Sequence, residues 1–159
     1  MEKKVYIYIG IMVALMFASV VWINREKEMA RKVVYSDEKM APIHLTKAKF
    51  LSIVANFQKN PNDWKYLGDK PCIIDFYASW CGPCKLVAPI MADLAKDYDG
   101  RIYFYKVDID AEEEIAGAYG IQSIPTIFFC PLNGAPQVIN GVMTKEAFEK
   151  TITGFLMKK

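Results

Sequence analysis

The run "CIIDFYA", residues 72–78, is apolar on both of its alternating faces except for one aspartate, Asp75. A strand of that kind has to be covered on both sides, which demands a layered fold with its sheet in the middle. The stretch that follows, "GPCKLVAPIMADLAKDY", carries apolar residues at helical spacing; Asp99-Gly100 terminates it, and Pro89 is expected to bend it. Upstream, Ile43 to Leu45 reads as a short strand. Thr46 can then cap a helix carrying Phe50, Leu51, Val54 and Phe57, with Asn60-Pro61 as its stop. Downstream, "IYFYKVDI" is a second buried strand, and "EEEIAGAYG" a short helix with acids in its first turn and Gly120 past its end. "TIFFC" and "QVING" read as two strands joined by a turn at Pro131 to Ala135, and Lys145 to Met157 as a closing helix. Strands separated by helices imply a parallel portion, and the late hairpin an antiparallel edge. The expected fold is therefore α/β, a central mixed sheet with helices on both faces.

At 159 residues there is room for one such domain and a modest extension. The extension is N-terminal. Val5 to Ile23 contains no charge over 19 residues, and a helix of that length, at about 1.5 Å per residue, nearly spans a hydrocarbon core of roughly 30 Å. The expected organisation is a signal-anchor or transmembrane segment at 1–24, a charged linker at 25–42 and the folded domain at 43–159. Basic residues flank the apolar run on both sides, Lys3 and Lys4 before it and Arg25, Lys27, Arg31 and Lys32 after it; counted literally they favour a cytoplasmic body, whereas the short basic start of "MEKKVYIYIG" resembles an export signal whose following chain is translocated. Up to Pro42 the chain has 7 basic and 5 acidic residues; beyond it, 13 of each. The domain thus offers no basic footprint, and nucleic acid is excluded as a partner.

Cys81 and Cys84 form a C-x-x-C between the end of the buried strand and the start of the helix. Free amides and the helix dipole at that junction favour a thiolate at Cys81, whereas Cys84, one turn inside, is expected to stay a buried thiol. Unequal thiols suit disulfide exchange: Cys81 attacks a substrate disulfide and Cys84 resolves the mixed disulfide. Cys84 must lose a proton to do so. Asp75, costly to bury as an isolated carboxylate, is the candidate relay, with Lys106 in "YKVDID" as its electrostatic partner. Structural zinc needs four ligands, and the C-x-x-C supplies two; the single histidine, His44, lies in a different segment, so no metal is expected. Cys72 and Cys130 stand alone in apolar runs and read as small buried hydrophobes.

"WCGPCK" with Asp75 upstream, "KVDID", "SIPT" and the late Gly141 resemble the thioredoxin family in order and spacing, over essentially all of residues 43–159. The resemblance implies a thioredoxin fold and a cis peptide before Pro125, which would face Cys81 and leave the backbone of Ile124 free to pair with a substrate strand. Trp80, Gly82, Pro83, Ile124 and Gly141 would surround the reactive sulfur as an apolar docking surface. Tyr77 departs from the tryptophan that many relatives carry. The apolar segment and charged tether are absent from cytosolic members, so the chain looks like an envelope-tethered bacterial thioredoxin with its domain outside the cytoplasm.

The function so implied is reduction of protein disulfides, with no cofactor beyond the redox-active disulfide. Electrons would come from an upstream dithiol protein: a membrane dithiol carrier if the domain lies outside, a pyridine-nucleotide-linked thioredoxin reductase if inside. Two alternatives stand beside it. One is a dedicated reductase of cytochrome c maturation, whose members usually carry a glutamate just after the second cysteine and a central insertion, both missing around "CKLVAP". The other is a binding module in which the cysteines are incidental.

Overall fold

The computed structural model describes residue 16, residues 18–29 and residues 41–158. The chain divides into two units, Met1–Lys39 and Met40–Lys159. In the first, residues 18–29 are helical. Among the described residues no helix is long and apolar enough to cross a membrane. Most of the expected anchor at 1–24, and residues 30–40 of the expected linker, lie outside the described residues.

The second unit contains β1 (Ile43–His44), α1 (Lys47–Ile53), β2 (Cys72–Tyr77), α2 (Gly82–Asp97), β3 (Tyr103–Asp108), α3 (Glu113–Ala118), β4 (Thr126–Cys130), β5 (Gln137–Asn140) and α4 (Lys145–Thr151), continued by a π-helical turn at Ile152–Leu156. The strands form one sheet in the order β1-β3-β2-β4-β5. β1 and β2 run parallel to β3, whereas β4 is antiparallel to β2 and β5 to β4. The mixed sheet expected from the alternation of elements is therefore present, with β2 in its middle.

Because side chains alternate along a strand, the sheet has two apolar faces. Ile73, Phe104, Ile127 and Phe129 pack on one side against Val87, Met91 and Leu94 of α2 and Phe148 and Ile152 of the C-terminal helix. Cys72, Ile74, Phe76, Val107 and Phe128 pack on the other against Phe50 and Val54 from the α1 segment and Ile115 of α3. Phe50, Phe76, Phe129 and Phe148 are wholly buried, each contributing on the order of 2–3 kcal/mol of transfer free energy. Asp75, two residues on from Ile73, points to the α2 side of this packing.

Two helices differ from the sequence reading. α1, capped as expected by Thr46, whose hydroxyl accepts the Lys49 amide, ends at Ile53 and does not reach Phe57. Val54 instead accepts the Leu67 amide at its carbonyl (2.9 Å) and Ala55 bridges Tyr66. This detour brings Phe57 and Trp64 against Tyr119, with ring centroids 5.9 and 5.5 Å away. The last helix is α-helical only to Thr151. The Thr151 and Thr153 hydroxyls donate to the carbonyls of Ala147 and Glu149, at 3.0 and 2.8 Å, and compete for the acceptors of the regular ladder, which opens into the wider turn.

Candidate active site

β2 runs out at Tyr77, Ala78 turns the chain, and α2 begins at Gly82 with Cys81 as its N-cap residue. Pro83 sits in the first turn, where a missing amide proton costs nothing. Cys81 and Cys84 are joined as a disulfide with Cα atoms 5.3 Å apart. The Cys84 amide donates to Cys81 Sγ at 3.1 Å, so the capping position is filled by sulfur. Backbone amides at a helix N-terminus are donors of the kind that stabilise an ionised sulfur. Exposure does not separate the two cysteines, each being 3% exposed; their places in the helix do.

Beneath α2 lies Asp75, 4% exposed, its Oδ1 without a hydrogen-bond partner. Burial pushes this carboxyl from 3.8 up to about 7, against the opposing pull of the Lys106 ammonium. Lys106 is the residue directly opposite Asp75 on β3. Both line a cavity of about 330 Å³ together with Pro42, Tyr77, Cys84 and Met91. The cavity thus joins the inner sulfur to the carboxyl expected to serve it.

The second wall of the site comes from the loop before β4. The Ile124–Pro125 peptide is cis, as the family resemblance implied. Pro125 accepts the Gly141 amide at its carbonyl (2.8 Å), and the Thr126 hydroxyl donates to the Ser123 carbonyl (2.6 Å) and lies 2.8 Å from the Asn140 side-chain amide. Gly141 has φ +94°, and a side chain there would meet no atom within 4 Å, so the position demands backbone freedom and not space. Ala78, Cys81 and Cys84 pack against Ile109 and Ile124. Trp80, 67% exposed, donates its indole N–H to Asp110 at 2.8 Å.

Of the ten residues singled out from the sequence, Cys81 caps α2 and Gly82, Pro83 and Cys84 form its first turn, Trp80 precedes it, Asp75 and Lys106 line the cavity, and Ile124, Pro125 and Gly141 lie on the loops beside β4 and β5. Sequence reasoning gave no role to Asp110, Thr126 or Asn140, although the first two lie within "KVDID" and "SIPT". Asp110 closes the "KVDID" motif, and nothing in the motif marks it as the partner of Trp80. Among the described residues no group of three or more His, Cys, Asp or Glu could hold a metal ion.

A disulfide at the N-terminus of a helix, a buried carboxyl behind it and a cis-proline loop beside it define a thiol–disulfide oxidoreductase. The thioredoxin family model matches residues 42–154, and the chain belongs to the thioredoxin family. A thioredoxin from Borreliella burgdorferi is 49% identical over 113 residues, 71% of this chain and 96% of that protein. Chloroplastic thioredoxin M4 from Arabidopsis thaliana is 40% identical over 90 residues, 57% of this chain and about half (47%) of the plant protein. The crystal structure of chloroplastic thioredoxin z superposes with a TM-score of 0.58 at 22% identity, covering 72% of this chain and 93% of that one, and shows the shared fold.

Proposed function

We propose that this chain reduces disulfides of other proteins, with Cys81 as the attacking and Cys84 as the resolving residue. The carrying observation is the hydrogen bond from the Cys84 amide to Cys81 Sγ at the helix start, which gives the two sulfurs different surroundings. The Cys81 thiolate attacks a substrate disulfide, forming a mixed disulfide and releasing one substrate thiolate. Asp75 then takes the Cys84 proton through the cavity. The Cys84 thiolate attacks Cys81 Sγ, forming the intramolecular disulfide and releasing the second substrate thiolate. Two electrons pass to the substrate, and an upstream dithiol protein restores the pair.

Trp80, Gly82, Pro83, Ile124, Pro125 and Gly141 form the docking surface, with the Ile124 backbone pairing to an extended substrate segment. Lys106 tempers the proton affinity of Asp75. The uncharged Val5 to Ile23 run supports a membrane anchor that holds the domain on the outer side of a bacterial cytoplasmic membrane, served there by a membrane dithiol carrier.

Cys84→Ser traps the exchange half-way: mixed disulfides through Cys81 are expected on gels run without reductant, and the Cys81→Ser, Cys84→Ser double variant forms none. A double variant that still supports function in cells would refute exchange in favour of docking. Asp75→Asn is expected to slow resolution while leaving the first attack intact; equal slowing of both steps would remove Asp75 from the mechanism. Protease added to spheroplasts should digest the domain, and full protection would place it inside.

A further inference from the structure

His44, Lys106 and Asp75 occupy one row across three neighbouring strands: His44 is opposite Lys106 in the β1–β3 pair and Lys106 opposite Asp75 in the β2–β3 pair. Residues in register share a face, so the row runs from an exposed imidazole at the sheet edge to the buried carboxyl. Tyr77, two residues beyond Asp75 on β2, reaches over β3 to its far side. Its Oη lies 3.2 Å from His44 Nδ1, and the two rings meet edge-on with centroids 5.9 Å apart. The Lys106 ammonium lies 5.7 Å from the centroid of the Tyr77 ring. The middle lysine is thus held under an aromatic bridge whose far end is anchored on β1.

We infer that His44 is a positioning residue for the exchange reaction, acting through Tyr77 to hold the Lys106 ammonium beside Asp75. The inference rests on the role proposed above for Asp75. Burial and the Lys106 charge lower the proton affinity of His44, Asp108 opposes them, and the neutral ring that results can accept the Tyr77 O–H at Nδ1. Asp108, opposite Tyr77 on β3, is the other charge at this end of the sheet, and Lys85 of α2 lines the cavity from above. Without its anchor the tyrosine ring swings free, and a half-buried ammonium relieved of its aromatic contact moves out to water. Asp75 then loses a cation that favours its ionised form.

The test follows the Asp75 carboxyl itself, by ¹³C NMR titration of the full chain in detergent micelles. His44→Ala and Tyr77→Phe should each raise the midpoint by about half a unit, and the two together by no more than either alone. His44→Asn, which keeps an acceptor near the Nδ1 position, should stay close to wild type. In a Lys106→Met background, already shifted upward, His44→Ala should add nothing. Midpoints indistinguishable from wild type in both His44→Ala and Tyr77→Phe overturn the inference, as does a His44→Ala effect that survives in Lys106→Met. If His44→Ala does not fold, Tyr77→Phe carries the same test. Because the titration needs no turnover, it stands apart from the resolution kinetics of Asp75→Asn: an unimpaired Asp75→Asn enzyme removes the relay, while the midpoints still report whether His44 reaches the carboxyl.

Discussion

Replacing Asp75 by asparagine should make the protein more stable, and increasingly so as pH rises. The folded chain holds the carboxyl proton up to about pH 7, while the unfolded chain releases it near 3.8. The protonated form is the one the fold tolerates, so this residue's contribution is fully present below 3.8 and is lost as pH rises through about 7. At about 1.4 kcal/mol per pH unit, the displacement amounts to about 4 kcal/mol between pH 4 and pH 8. Asparagine has nearly the same shape and no proton to lose, so its stability is expected to be flat over that window where the wild type declines. Urea unfolding of the oxidised proteins at several pH values, with equal m-values as the check on a common unfolded state, measures the gap directly. Parallel stability curves for the two proteins would mean that Asp75 ionises in the folded state as easily as in water, and the burial argument behind the proton relay would fail.

Other consequences are simpler to read. Cys72 and Cys130 are fully buried free thiols opposite each other on β2 and β4, and burial pushes Cys130 well above the ordinary thiol range, so iodoacetamide should label neither in the native oxidised protein and both in denaturant; native labelling would show that this face of the sheet opens. Asp110→Ala removes the acceptor of the Trp80 indole, and loss of about 1 kcal/mol of ordering should raise KM for protein disulfides about fivefold with kcat nearly unchanged; an unchanged KM would show that the indole needs no tether. Gly141→Ala places a Cβ on a backbone at φ +94° and should cost about 1–3 kcal/mol in denaturant unfolding; a neutral effect would mean the loop adopts another conformation freely.

The β2–α2 junction was legible because a strand apolar on both faces admits few alternatives and the helix after it shows its period over four turns. Asp75 could be read as buried from that context alone. What escaped depends on contacts distant in sequence. The Tyr77–His44 contact joins residues 33 apart, and nothing in "PIHLT" marks a partner on β2. Asp110 stands in a recognisable motif, but its bond to the Trp80 indole joins residues 30 apart and has no local signature. The π-helical turn was invisible for a different reason: Phe148, Ile152 and Leu156 recur every fourth residue, which an α-helix satisfies equally well, and only the competing threonine hydroxyls break the ladder. The early end of α1 likewise left its apolar pattern intact, since Val54 and Phe57 still face inward from the detour.

Trp80, Leu86 and Val142 stand in solvent, while the sulfurs and Asp75 are enclosed. Of the proposed docking surface, Trp80 faces outward whereas Ile124 packs on the cysteines themselves, so client contact and electron chemistry share a wall. A lineage could therefore vary the outward-facing indole without touching the sulfurs, whereas a change at Ile124 would reach the redox centre itself.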